Sequence, residues 1–130
     1  VLDTSFGSIH GIPTVTGEFT FVIKVTGSDT KSVEQQFTLL IPTPPSITSV
    51  GSLVGSVGSQ YLYNVNGRVQ ATGTSPITFE KVSATDPNVT VRADGTIVWT
   101  PSAAGTYSIE VSATNRAGSD SQTITPIVIS

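Results

Sequence analysis

Three features of this sequence predict an all-β fold of the antiparallel sandwich class. The first is strict alternation: Phe19, Phe21, Ile23 and Val25 fall on one side of an extended chain, Thr20, Lys24 and Thr26 on the other. A period of two marks a half-buried strand. The second is punctuation, since turn residues such as Gly27-Ser28-Asp29-Thr30 and Ala93-Asp94-Gly95 separate the alternating runs, and Asp-Gly is a strong tight-turn signal. The third is a repeat. The stretch Gly7 to Thr26 runs in step with Gly95 to Thr114, and Gly7 and Gly95, Pro13 and Pro101, Gly17 and Gly105 each lie 88 positions apart. A fixed period of this kind reveals a structural unit more reliably than a local motif does.

Taken in order, the first strand is Phe19 to Thr26, and Val33, Gln35, Phe37, Leu39 and Ile41 form its partner across the Gly27–Thr30 turn. Pro42-Thr43-Pro44-Pro45 then reads as a short, extended linker, because proline stiffens the chain. Ile47 to Val50 opens the next unit, and Tyr61, Tyr63 and Val65 alternate with Leu62 and Asn64 as its second strand. Between them Gly51-Ser52-Leu53-Val54-Gly55-Ser56-Val57-Gly58-Ser59 is expected to be a flexible loop. It lacks the lysine and the helix that would make a glycine-rich stretch a phosphate cradle. Ile77 to Val82 is the third strand, and Val89 to Arg92 and Thr96 to Thr100 flank the Ala93-Asp94-Gly95 turn. Tyr107, Ile109, Val111 and Ala113 repeat the strand seen at Phe19, and Ile124 with Ile127 to Ile129 repeats its partner. Pro126 has no backbone donor, so it is placed at an edge or a bulge. About seven short strands with turns between them point to an immunoglobulin-like antiparallel β-sandwich. No helical period is sustained.

The repeat predicts the domain organisation. Residues 43–130 are expected to be a complete module. Residues 1–42 are expected to be the C-terminal half of another, since Val1 falls where the middle of the unit should be. The sequence holds no methionine, so Val1 is expected not to be a natural start and the chain to be cut from something longer.

Composition narrows the function classes. Ser and Thr together number 37 and charged residues make up 12%, which suits sheet faces dressed in hydroxyls rather than a surface of charged helices. A net charge of -3 with six scattered basic residues argues against a nucleic-acid partner, which needs clustered Lys and Arg. No apolar run approaches the roughly 20 residues of a membrane helix, so no membrane insertion is expected. Cysteine is absent, which removes disulfides, thiolate metal sites and a cysteine nucleophile.

A family resemblance is carried by three stretches. Leu2-Asp3 with Gly7-Ser8-Ile9-His10-Gly11-Ile12-Pro13 and Gly17-Glu18-Phe19-Thr20-Phe21 is one. Asp94-Gly95-Thr96-Ile97-Val98-Trp99-Thr100-Pro101 with Gly105-Thr106-Tyr107 is the second, and Ala113-Thr114-Asn115-Arg116-Ala117-Gly118-Ser119-Asp120 the third. Together they resemble bacterial immunoglobulin-like (He-PIG) modules and the cadherin-like and dystroglycan-like sandwiches. The resemblance implies a secreted or cell-surface protein, because such modules occur as tandem arrays in surface proteins, adhesins and secreted polysaccharide-degrading enzymes. It is specific to the fold, and a sandwich hosts many roles. It also implies a question about calcium, which many relatives bind between the second and third strands and at module junctions. Here that position reads Asn66-Gly67-Arg68-Val69-Gln70-Ala71-Thr72-Gly73, without the carboxylates calcium usually needs. Asp86 with Asn88, or Asp120 with Asp29 across a junction, are the remaining calcium candidates; the competing reading is that they cap loops.

The other chemistry-bearing residues have plain readings. Trp99 is the only tryptophan and shares a face with Ile97, so it is expected in the core rather than as a sugar platform. Tyr61, Tyr63 and Tyr107 are expected inward too. His10 is the only histidine and has no Ser or Asp beside it by spacing, which leaves catalysis without a constellation. Asn88-Val89-Thr90 fits a glycosylation triplet, of little meaning in a bacterial protein. Lys24 and Lys81 lie on or near outward faces, away from the buried carboxyl that a lysine cross-link needs.

The expected function is therefore a non-catalytic structural or adhesive module, with Thr20, Lys24, Glu110 and Ser112 as exposed contact candidates. The alternative is an accessory carbohydrate-binding or calcium-dependent module of a secreted enzyme. One further expectation concerns the first copy. Phe19, Phe21, Ile23, Phe37, Leu39 and Ile41 form an apolar face needing a cover, on the order of several hundred Å2, more than soluble monomers usually leave open. That face is expected to associate with another chain, by strand exchange or with an upstream half-module.

Overall fold

Short pairings and one long hairpin build the first part of the chain. The structure, a computed structural model, describes all residues 1–130. β1 (Leu2–Asp3) pairs antiparallel with β2 (Ser8–Ile9), and β3 (Gly17–Thr26) pairs along its whole length with β4 (Ser32–Ile41). The turn closes because Gly27 N–H donates to the Lys31 carbonyl at 2.8 Å and Thr30 N–H to the Gly27 carbonyl at 3.0 Å. Within the hairpin Phe21 lies opposite Phe37, and their rings stack at 5.6 Å. Phe19 lies opposite Leu39 on the same face.

The chain divides into two compact units, Val1–Thr43 and Pro44–Ser130. The second holds β5 (Ser46–Ile47), β6 (Val54–Gly55), β7 (Ala71–Thr72), β8 (Thr78–Ala84), β9 (Thr90–Val91), β10 (Ile97–Val98), β11 (Gly105–Asn115) and β12 (Gly118–Ile129). A four-stranded sheet runs β6-β12-β11-β8, with β5-β7 and β9-β10 as separate pairs. The protein is thus all-β with several sheets, compatible with a β-sandwich. Alternate residues of the large sheet (Ile109, Val111, Ile124, Ile127 and Ile129) point into a core completed by Tyr61, Tyr63, Val69, Val89, Ile97 and Trp99. Trp99 sits between Tyr61 at 5.5 Å and Tyr107 at 5.1 Å, ring centre to ring centre. Every buried side-chain polar atom has a hydrogen-bond partner, so the core carries no desolvation debt.

The repeat in sequence is a repeat in register. Gly17 pairs with Ile41 and Phe19 with Leu39; Gly105 pairs with Ile129 and Tyr107 with Ile127, each residue 88 positions on. Gly17 and Gly105 both have positive φ, and each faces the aromatic ring two residues later. The match then slips by one position. Phe21 faces Phe37, whereas Ile109 faces Ile124, because Thr125 and Pro126 together oppose Ser108. Pro126 therefore lies at a bulge, where its missing donor leaves no gap in the ladder.

Three expectations are corrected. Residues 51–59 are not a free loop: β6 lies within them and pairs in parallel with β12, Val54 opposite Val128. The sheet is accordingly not purely antiparallel. Its apolar pair Leu53-Val54 supplied the only signal, and two residues are too few to show a period. Val65 does not share the inward face of Tyr61 and Tyr63; it is 98% exposed. Residues 61–65 form no strand: the chain bends from Tyr63 and turns at Asn64, whose side-chain oxygen accepts from Asn66 N–H and whose carbonyl accepts from Gly67 N–H. Ser112 is not an exposed contact residue but is buried. Its strand is internal to the sheet, so Glu80 and Ser121 flank it on the same face, and its hydroxyl donates to Glu80 at 3.5 Å.

Candidate functional site

The first unit bears an open apolar hollow of about 560 Å3. Its floor is the β3–β4 hairpin, through Phe19, Leu39 and Ile41, and its wall is the segment Ile9 to Val15 with Val1. Backbone bonds hold that wall: His10 N–H donates to the Val1 carbonyl at 3.0 Å, and Val1 N donates to the His10 carbonyl at 2.7 Å. No Lys, Arg, Asp or Glu side chain lines the hollow, and His10 is the one titratable side chain in it. The hollow is predominantly apolar and brings together no nucleophile hydrogen-bonded to a base.

The six residues Phe19, Phe21, Ile23, Phe37, Leu39 and Ile41 do come together on one hairpin face. Phe21, Ile23 and Ile41 are half-buried, whereas Phe19, Phe37 and Leu39 are 42%, 45% and 49% exposed. The corresponding residues of the second unit differ sharply in cover: Ile109, Val111, Ile127 and Ile129 are buried, and Tyr107 is half-buried. The same contrast holds along the wall, where Ile9 is exposed and its counterpart Ile97 is buried. Trp99 has as its counterpart Gly11, which has no side chain. The hollow occupies the place that the aromatic centre of the core fills in the second unit. The repeat was the signal that could have located it, through the pairing of Gly11 with Trp99.

The calcium candidates are distributed as follows. Asp86 accepts from Asn88 N–H at 2.9 Å and from Trp99 Nε1 at 2.9 Å. Asn88, in the same turn, thereby ties that carboxylate to the backbone. These bonds, the Asn88 backbone first and the indole second, hold the Asp86 carboxyl below the usual aspartate range. Lys81 Nζ donates to the Pro87 and Val89 carbonyls at 3.3 and 2.8 Å, closing the same turn from outside. Asp120 lies elsewhere, accepting from Ile47 N–H at 2.8 Å and from Ser121 N–H at 2.9 Å. Asp29 caps the first hairpin turn through Lys31 N–H. No group of three or more His, Cys, Asp or Glu side chains is gathered where it could hold a metal ion. Sequence reasoning missed the Asp86–Trp99 bond, which joins residues 13 apart across a turn.

Tyr61 and Tyr63 are buried, and Trp99 is 1% exposed. Burial pushes the Tyr61 hydroxyl up to about 12 and raises that of Tyr63 as well. Thr20 and Lys24 are exposed and Glu110 half-buried. No helix is long and apolar enough to cross a membrane. No protein-family model matches the chain, and no curated protein is significantly similar to it.

Proposed function

We propose that this chain is a non-catalytic structural or adhesive part of a tandem extracellular bacterial protein, built of immunoglobulin-like modules, whose incomplete first module is completed by another chain or by strand exchange. One observation carries the reading. Two hairpins share apolar alternation, the pairing of their first residues and glycine conformation, yet one is sealed in a core and the other presents its apolar face to solvent. Burying a fully exposed side chain of this size contributes roughly 1.5–3 kcal/mol, and Phe19 and Leu39, at 42% and 49% exposed, have somewhat under half of that still to gain, so a cover over several such residues is favoured. The resemblance to secreted and surface modules supports a secreted or cell-surface location. An accessory sugar-binding role would need an outward aromatic cluster; Trp99, Tyr61 and Tyr63 are committed to the core, and the outward rings of the first hairpin are Phe19, Phe21 and Phe37 on its open face, the same face that the first reading covers with protein.

The test is mass and hydrogen exchange of the purified chain in dilute solution. Association that depends on concentration, or slow exchange in β3 and β4 only when a partner is present, is the expected result. A lone monomer whose residues 1–43 are as protected as the second unit would sink the reading.

A further inference from the structure

In the second unit the segment Ser56 to Tyr61, which turns through a Ser59 N–H bond to the Ser56 carbonyl at 3.2 Å, meets the residues that correspond to the hollow. Tyr61 packs against Trp99 and donates its backbone N–H to the Trp99 carbonyl at 2.8 Å. Three residues earlier, Gly58 N–H donates to the Pro101 carbonyl at 2.9 Å, from a backbone with φ +74°. The counterparts of Trp99 and Pro101 are Gly11 and Pro13, whose carbonyls accept no hydrogen bond. They lie in the wall of the hollow. A Cβ placed on Gly11 meets only the Val1 nitrogen, at 3.9 Å, so the space in front of it is open. The first unit therefore keeps two backbone acceptors and the room for a ring, and lacks the donor.

We propose that the hollow is a docking socket for a turn-led segment of a second polypeptide, with glycine in the turn three residues ahead of a tyrosine or phenylalanine. The glycine N–H bonds the Pro13 carbonyl, the aromatic residue's N–H bonds the Gly11 carbonyl, and the ring packs against Ile9, Phe19 and Leu39. The segment is uncharged: no charged side chain lines the hollow, its one ammonium (the Val1 α-amino group) is already bonded to the His10 carbonyl at 2.7 Å, and burying an unpaired charge is costly. Main-chain bonds supply affinity and the aromatic pocket supplies selectivity, the division of labour that other peptide-recognition modes use. This proposal rests on the reading that the first unit is completed by another polypeptide.

The test titrates the full chain with a dye-labelled synthetic peptide of residues 56–65, an uncharged stretch containing Gly58 and Tyr61, followed by anisotropy and hydrogen exchange. Saturable uptake is expected, with exchange slowing at residues 9–15 and in β3. The same peptide carrying Tyr61→Ala, and a chain carrying Gly11→Trp to fill the hollow from within, should each weaken uptake about tenfold or more. A chain carrying Thr38→Lys, on the opposite face of β4, should bind like the parent. Trp99 emission should stay constant, because uptake at the first unit leaves the second undisturbed. Equal uptake of the Tyr61→Ala peptide overturns the socket while a covered first unit still stands. Absence of saturable uptake also overturns it. If the chain then self-associates and Gly11→Trp abolishes this, a second copy is the cover; if it is a monomer with residues 1–43 fully protected, the parent reading falls too.

Discussion

At the scale of residues, the two copies form an internal experiment in burial. Leu39 and Ile127 occupy the same position in the repeat, but Leu39 is 49% exposed and Ile127 is buried. Ile127→Ala should lower the stability of the second unit by about 2–5 kcal/mol, read from urea unfolding followed by Trp99 fluorescence. Leu39→Ala should cost the first unit less than half as much, read from amide exchange in β3 and β4. The pH dependence belongs at this scale as well. Asp86 is held low by the Asn88 backbone and the Trp99 indole, and Asp94 by the Thr96 side chain and backbone. A carboxyl whose folded pKa is depressed adds stability above its unfolded value of about 3.9, which is lost as pH falls through the folded value. Stability should thus hold down to about pH 4 and decline below it, and Asp86→Asn should make that acid decline shallower. Tyr61 has the opposite sign, being raised from 10.0 to about 12. Its contribution is intact below pH 10.0 and disappears as pH rises toward 12, so Tyr61→Phe should flatten the alkaline loss, with unfolding followed by circular dichroism.

Elements are set by their neighbours as much as by their own alternation. β11 has β8 on one side and β12 on the other, whereas β3 and β4 pair only with each other. Amide exchange followed by NMR should therefore find the slowest protons in β11, and fast exchange at the outward-facing amides of β3 and β4. Comparable protection in the two hairpins would contradict this. The long strands were legible because β3 and β11 each carry four alternating apolar positions and β4 carries five alternating positions; these three were anticipated close to their observed spans, and β12 only over its second half from Ile124. β6 was not, since two residues cannot display a period and its parallel partner lies more than 70 positions away. The burial of Ser112 was hidden for a related reason. Polarity predicted a solvent face, but a serine on an internal strand is covered by the side chains beside it.

For the whole molecule, the core residues all lie between Tyr61 and Ile129. A chain beginning at Pro44 should keep its cooperative unfolding and its buried Trp99 emission, measured by urea titration. Loss of either would show that the first unit is needed for the second to fold. The hairpin face of the first unit was predictable from six alternating apolar residues. The hollow beside it was not, because it depends on a missing side chain at Gly11 and on how the segment before β3 lies against the hairpin.

The sequence by itself determined the β class, the hairpins and the offset of 88, because alternation and turn chemistry are local and a repeat needs only comparison. Tertiary structure alone decided which apolar face is covered. Burial depends on what a strand meets, and in this chain the same hairpin meets a core in one copy and solvent in the other.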